Sequence, residues 1–221
     1  MSSYEPDTVA DVLHVNLRAR IWAGDWLPGD RVSIRALAQS AGLSVIPVRD
    51  AVRRLVAEGG LAFVDSRTIE VPRLTPENHG EVLFARAQVE PELAARAYPR
   101  LTNEDLAQLV ALDAEVNEAI ADANLARYMK ANFDFHFHIY RRAQAPVLMR
   151  IAEILWLQSG PSMRYVAGQY GAQPGVADHH KEMTDALARR DAAPFIAALR
   201  EDVTQGMEFI RTAMAREAVT S

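Results

Sequence analysis

One stretch of the sequence, NFDFHFHIY at residues 132–140, combines an aspartate and two histidines with three phenylalanines. The alternating apolar residues would suit a strand. The flanking sequences NLARYMKAN and YRRAQA are rich in helix-forming residues, and they favour a helix instead. On a helix, Asp134 and His138 lie four residues apart on one face, whereas His136 points roughly opposite. Such an Asp-x3-His pair can supply two ligands to a divalent metal ion or form a surface ion pair, and its spacing leaves both open.

A second group with chemical potential is a set of arginines in the N-terminal part of the chain. Residues 31–54 contain five arginines and a single acidic residue, although the whole chain has a net charge of −5. The five are Arg31, Arg35, Arg49, Arg53 and Arg54. A cationic segment on an acidic protein is suited to contacting phosphates, and its alternative role is a solvated face with ordinary ion pairs.

The elements that would position these arginines are predicted as three helices followed by a β-hairpin. After a first amphipathic helix, Ser33 can cap a short helix that ends at Gly42, and Ser44 opens the next helix. This third helix ends at Gly59 and Gly60, and LAFVDSRTIEVPRL then predicts two short strands around a polar tip. The order is that of a winged helix-turn-helix, in which the N-terminal side chains of the second helix of the pair reach bases in the major groove.

The remainder of the chain predicts an all-helical bundle, because amphipathic segments follow one another with short breaks and no convincing strand. The expected fold is therefore mainly α, with a winged helix-turn-helix domain over residues 1–73 and an all-α domain over residues 74–221. The 221 residues include no cysteine, which excludes disulfides and thiolate metal ligands. The sequence contains no signal peptide and no apolar run of the ~18–20 residues that a membrane span needs, so we expect a cytoplasmic protein without a membrane partner.

The segment IWAGDWLPGDRVSIRALAQSAGLSVIPVRDAVRRLVAEGGL resembles the DNA-binding domain of GntR-type bacterial transcription regulators. The resemblance is carried by the Pro-Gly turn, the GLSxxPVR run and the EGGL that precedes the wing. It implies that Arg35, Ser44 and Arg49 contact DNA. Arg53 on the same helix and Arg67 at the wing tip are the further expected contacts.

Two positions depart from the pattern of that family. Val45 stands where an arginine usually follows the serine, and Thr68 stands where a glycine usually follows the wing arginine. The first departure removes a side chain that commonly reads guanine or phosphate, at a cost of ~1–3 kcal/mol at one base position. The departures bear on operator sequence and affinity, and not on the domain assignment.

The helical part is similar to the FCD-type effector domain of the FadR subgroup of these regulators, through the Asp-x3-His pair and the segment ADHHKEMTDALARRD. In that family an aspartate and a histidine from one helix join histidines from two later helices around a divalent metal. The resemblance carries these roles to Asp134, His138 and His180, and it carries the fourth to Asp202, where the family has a histidine. The implied ion is zinc, nickel or manganese, and the alternative is a metal-free site. His136 is expected to be a neighbour and not a ligand.

Arg86, within FARAQVE, matches an arginine at the start of that domain. By resemblance it points into the pocket and meets an effector carboxylate. The alternative is an ion pair with Glu90, four residues further along the same helix, and the sequence leaves the two interpretations open.

These features predict a ligand-responsive transcription regulator and not an enzyme. The expected partners are a palindromic double-stranded DNA operator, bound by a homodimer, and a small carboxylate effector. Regulators of that family are more often repressors than activators, so we expect a repressor. The alternatives are a sensor of fatty acyl-CoA or of another metal-independent effector, and a metal-dependent hydrolase or lyase in the helical domain.

Overall fold

The computed structural model of the protein describes residues 8–167 and 176–220. Its N-terminal part contains three helices and a small sheet, as a winged helix-turn-helix requires, and the predicted fold class is confirmed. The elements are α1 (Val9–Trp22), β1 (Arg31–Ser33), α2 (Ile34–Ala41), α3 (Val45–Ala57), β2 (Ala62–Phe63) and β3 (Thr68–Glu70).

Local sequence signals account for the bounds of these helices. The Thr8 hydroxyl accepts a hydrogen bond from the Asp11 amide, and the Asp11 carboxylate accepts one from the Thr8 amide, which forms a capping box at the start of α1. The Ser33 hydroxyl accepts a hydrogen bond from the Ala36 amide at the start of α2, and Gly42 ends α2 with a φ of 65°, a left-handed conformation that glycine adopts without strain. Helix α3 then turns its apolar residues into a core shared with α1 and α2.

The sheet has three antiparallel strands in the order β1-β3-β2, whereas the sequence predicted a two-stranded hairpin. Strand β3 lies in the centre, where fully buried Ile69 pairs with Val32 on one side and with Phe63 on the other. Strand β1 was assigned to the turn after α1, because three residues are too few to display the alternation by which a strand is recognised.

The described residues after the sheet form a helical bundle. Its helices are α4 (Pro76–Ala97), α5 (Asn103–Ala121), α6 (Leu125–Arg141), α7 (Pro146–Ser159), α8 (Arg164–Ala167), α9 (His179–Ala188) and α10 (Ala192–Thr220). A 3-10 turn at Gly160–Met163 separates α7 from α8. Pro161 lies in this turn, where its missing amide donor interrupts the helical ladder. None of the described helices combines the length and the hydropathy that a bilayer span requires.

Helix α7 joins the bundle to the N-terminal part of the molecule. Leu157 belongs to the apolar core of the winged helix-turn-helix, and the Gln158 side-chain amide donates to the Glu58 carbonyl over 3.5 Å. Trp22 at the end of α1 stacks on Phe133 of α6, with 4.5 Å between ring centroids. The two parts of the chain are therefore in direct apolar and polar contact.

Candidate functional site

Helix α6 carries the histidine-rich stretch, and the helix prediction for residues 132–140 is confirmed. Its two expected metal ligands, however, point away from the interior of the bundle. The Asp134 carboxylate pairs with Lys130 at 2.5 Å, and His138 Nε2 lies 2.8 Å from Asp105 Oδ1. Asp134 and His138 therefore do not pair with each other: Asp134 forms an ion pair with Lys130 on the same helix, and His138 contacts Asp105 at the start of α5.

The interior of the bundle instead contains a cluster of His136, His180 and Asp202, from α6, α9 and α10. His136 Nε2 lies 3.1 Å from Asp202 Oδ2 and 3.3 Å from His180 Nε2, and His180 Nε2 lies 3.8 Å from Asp202 Oδ1. The structure therefore brings together His180 and Asp202, with His136 as the third member of the cluster, whereas Asp134 and His138 have partners elsewhere. Packing decides this difference, because it sets which face of α6 points inward.

A signal for His136 was present in the sequence. Asn132 precedes it by four residues, so that the stretch contains two overlapping pairs with the same spacing. Tyr128, Phe135 and Ile139 are each no more than 2% exposed, and they lie on the same side of the helix as His136. Weighing the whole apolar face of the helix, and not the phenylalanines alone, would have favoured His136.

Hydrogen bonds on the far side of each imidazole determine how the cluster is protonated. The Tyr140 hydroxyl donates to Glu90 Oε2 at 2.5 Å, because a carboxylate can only accept. The Tyr140 oxygen, 3.2 Å from His136 Nδ1, is then the acceptor for a proton on that nitrogen. On His180, Nδ1 lies 3.4 Å from Asp113 Oδ1, which makes this nitrogen a donor too. With its proton on Nδ1, each neutral imidazole would present an Nε2 lone pair to a metal ion beside Asp202.

The charges in the cluster call for a cation at its centre. Burial raises the pKa of Asp202, but the hydrogen bond with His136 and the nearby His180 outweigh it and bring the pKa to about 2. Burial lowers the pKa of His180, yet the hydrogen bond to Asp113 and the charge of Asp202 raise it overall. The ionised Asp202 carboxylate is stabilised by a positive charge beside it, which a proton on an Nε2 atom or a metal ion between the three groups supplies. This donor set, with its outer hydrogen bonds, fits a divalent metal ion.

A cavity of about 240 Å³ opens beside this cluster. Its described lining contains both polar and apolar side chains, and it includes three carboxylates and two amides but no lysine or arginine. The lining residues are Asp113, Val116, Asn117, Ile120, Tyr128, Asn132, Asp178, His179, His180 and Asp202.

Arg86 does not line this cavity, and its guanidinium is already bound. Its Nε lies 2.5 Å from Glu90 Oε1 and its Nη2 lies 3.3 Å from Glu90 Oε2, while Nη1 donates to the Ser159 hydroxyl at 3.2 Å. Its carbon Cζ lies 4.7 Å from the centre of the Trp156 ring. Burial lowers the pKa of Arg86, but Glu90 raises it overall, so the guanidinium stays charged. The ion pair is thus the alternative that the structure supports, in place of an open clamp for an effector.

The surface of the winged helix-turn-helix presents several of the arginines expected to meet DNA. Arg35 on α2 is exposed, Arg49 on α3 is partly exposed, and neither makes a side-chain hydrogen bond or ion pair with another described residue. Arg67 is exposed at the wing tip, and Arg53 lies 3.8 Å from Asp50 in an exposed pair. Ser44 makes no capping hydrogen bond, although it occupies the N-cap of α3.

Two other arginines of the cationic segment have structural partners. Arg31 pairs with Glu70 across the sheet at 2.8 Å, and Arg54 pairs with Asp11 on α1. Between Ser44 and Arg49, Ile46 is 75% exposed in the first turn of α3. An apolar side chain therefore stands at the end of the helix where base contacts are made.

Comparison with protein-family models gives two matches that together span most of the chain. The model of the bacterial regulatory proteins of the gntR family matches residues 10–71, and the FCD domain model matches residues 81–205. Both describe parts of transcription regulators and not of enzymes, as the sequence predicted.

Individual proteins give the same result. The HTH-type transcriptional regulator McbR of Escherichia coli K12 is 30% identical over 151 residues, 68% of each chain. The Exu regulon transcriptional regulator of the same organism is 25% identical over 210 residues, 86% of this chain and 80% of its own. The structure of E. coli McbR/YncC superimposes with a TM-score of 0.82 at 26% identity, covering 93% of this chain and 98% of that one. A putative GntR regulator from Rhodococcus sp. RHA1 shares the fold, with a TM-score of 0.74 at 19% identity over 92% of this chain and 98% of its own.

Proposed function

Because the chain belongs to the gntR family of bacterial regulatory proteins and carries an FCD domain, we propose that its DNA binding responds to a small molecule held at a divalent metal site. The residues that would hold the ion are His136, His180 and Asp202. The observation that carries the proposal is the convergence of two imidazole nitrogens and one carboxylate oxygen in a buried cluster. A zinc, nickel or manganese ion bound there would act as a Lewis acid with open positions for ligand oxygens.

A signal from this site has a direct physical route to the DNA-binding domain through α7. Trp156 lies 5.2 Å from the His136 ring, and Ser159 accepts a hydrogen bond from Arg86. Between them, Leu157 and Gln158 contact the N-terminal domain. A ligand that shifts α7 would therefore change the placement of the DNA-binding domain, and it regulates if the two placements differ in DNA affinity.

For DNA recognition, the proposal is a homodimer on a palindromic operator, with α3 of each protomer in a major groove. Arg35, Ser44 and Arg49 would contact DNA, with Arg53 on α3 and Arg67 at the wing as the additional contacts. The exposure of these side chains supports this assignment. The proposal also includes membership of the FadR subgroup, a repressor role, and a domain division at residues 73 and 74.

The first experiment captures genomic fragments on the purified full chain and sequences those that are retained. We expect a few sites that share a short palindrome. Arg49→Ala should weaken binding to such a site, whereas Arg96→Ala should leave it unchanged, because Arg96 is an exposed arginine paired with Glu92 in the helical domain. Retention that is independent of sequence would contradict the proposal.

The second experiment tests the metal site with two neighbouring histidines. His136→Ala should abolish stoichiometric binding of a divalent ion, measured by metal analysis after dialysis against a metal buffer. His138→Ala should retain the ion, because this side chain is paired with Asp105 outside the cluster. Loss of the ion in His138→Ala but not in His136→Ala would indicate Asp134 and His138 as the ligands and would refute the site proposed here.

A further inference from the structure

We propose that the ligand of this cavity is a small neutral polyol, and not the carboxylate that the sequence led us to expect. This inference rests on the proposed function, because it concerns the effector of the same site. A polyol presents hydroxyl groups that donate hydrogen bonds and also offer lone pairs. The carboxylates of the lining favour hydrogen-bond donors, and the metal cluster favours lone pairs.

The first argument is the charge of the lining. Asp113, Asp178 and Asp202 all face the cavity, and no described lining residue is a lysine or arginine. Residues 1–7, 168–175 and 217–221, whose side chains lie outside the description, contain no lysine or arginine in the sequence either. A divalent ion offsets two of the three negative charges, so the loaded cavity keeps a net negative charge. An effector carboxylate would add a further negative charge, and no cationic side chain of the lining would compensate it.

The second argument is the state of Arg86, the expected clamp for a carboxylate. Nε and Nη2 of its guanidinium are bound to Glu90, and Nη1 donates to the Ser159 hydroxyl. The side chain is only 3% exposed. Releasing it would leave the Glu90 carboxylate buried and unpaired, which is costly in a protein interior. Arg86 is therefore bound to the Glu90 carboxylate of the protein itself and is not available to an effector.

The third argument is a free amide in the wall. Asn132 is 5% exposed and lines the cavity, yet its side chain forms no hydrogen bond with another described residue. Its amide faces the cavity with both a donor and an acceptor, so a ligand that both donates and accepts would bind it. Hydroxyl groups do so, and they donate to the carboxylates as well. An ammonium group would also donate to the carboxylates, but it has no lone pair for Asn132 or for the metal.

The volume of the cavity limits the size of the ligand. A water molecule occupies roughly 30 Å³ in the liquid, so a cavity of about 240 Å³ holds on the order of eight heavy atoms. A four-carbon polyol has this size. The inference is therefore a tetritol or a sugar of similar size, with adjacent hydroxyls toward the metal cluster and the others toward Asp113 and Asp178.

The experiment compares ligands with one carbon skeleton and different end groups. Erythritol and threitol, the acids erythronate and threonate, and 1-amino-1-deoxyerythritol are titrated by calorimetry into the metal-loaded full chain. At least one polyol should bind about tenfold more tightly than its acid, the size of a single unfavourable charge contact of ~1.4 kcal/mol. Tighter binding of an acid or of the amine, or no binding of either polyol, would overturn the inference.

Charge variants test the reason for the preference. Asp178→Asn retains the N-cap of α9, because asparagine also accepts from the Lys181 amide, and it removes one charge from the lining. It should move the acid-to-polyol ratio toward the acid by about tenfold. Asp185→Asn is the matched control, since Asp185 is on the same helix, exposed and paired with Lys181. An equal ratio in both variants would contradict the charge argument.

Measurements on the same preparation separate the two proposals. Metal content and operator binding are determined before any ligand is added. If either is lost, the proposed function fails. If both are intact and the acids bind better than the polyols, only the inference about the ligand fails.

Discussion

The buried ion pair between Arg86 and Glu90 leads to a quantitative prediction about stability. Their side chains are 3% and 0% exposed, and Glu90 also accepts the hydrogen bond of the buried Tyr140 hydroxyl. Glu90→Gln retains the shape of the side chain but removes its charge. The guanidinium is then buried without a counter-ion, so we expect a loss of ~3–5 kcal/mol in the free energy of unfolding.

The same helix contains a control for this change. Glu92 pairs with Arg96 at the same spacing and at 2.7 Å, but the two side chains are 49% and 54% exposed. Glu92→Gln should therefore lower the free energy of unfolding by less than ~1 kcal/mol, as is usual for surface pairs. The two pairs share residue types and spacing, and they differ in burial and in the Tyr140 hydrogen bond that Glu90 accepts.

Urea denaturation, followed by circular dichroism, measures both variants. The double variant Arg86→Met with Glu90→Leu should regain most of the stability lost in Glu90→Gln, because it removes both charges together. If Glu90→Gln costs no more than Glu92→Gln, then Arg86 is not held by Glu90 in solution. Its guanidinium would then be available to an effector carboxylate.

Three further predictions concern DNA, acid and metal. Ile46 should contact a thymine methyl group of the operator. Replacing that thymine by uracil should weaken wild-type binding about fourfold, because one buried methyl group contributes ~0.8 kcal/mol, and it should leave the binding of Ile46→Ala unaffected. Equal losses in both proteins would exclude the contact. Burial raises the pKa of Asp105, but hydrogen bonds from Thr102, Arg142 and His138 outweigh it and bring the pKa to about 2 from 3.8. Its stabilising contribution is complete above pH ~4 and is lost as the pH falls toward 2, so wild type should lose about 2 kcal/mol more over this interval than Asp105→Asn in acid-titrated urea denaturation. A divalent ion at a hundred times its Kd should stabilise the wild type by about 2.7 kcal/mol and His136→Ala by close to zero, as measured by thermal unfolding with and without a chelator.

Much of the fold followed from local sequence. The helix bounds depend on capping residues such as Thr8 and Ser33 and on apolar periodicity, which act within a few residues and are visible in the chain itself. The helix-turn-helix was predictable for this reason, and so was the helical character of residues 132–140. Strand β1 was missed because its stability comes from pairing Val32 with Ile69, far away in the sequence.

The site was only partly predictable. The resemblance of the sequence to the FCD-type domain indicated His180 and Asp202 as members of one cluster, and it left Arg86 with two open roles. Only the tertiary structure decided that His136 and not His138 joins the cluster, and that Glu90 satisfies Arg86. A helix has the same local energy whichever side faces inward, so the packing of α6 against its neighbours determines the ligand set. The exposed face of α3 and the net charge of the cavity likewise depend on residues that are distant in the sequence and meet only in the folded chain.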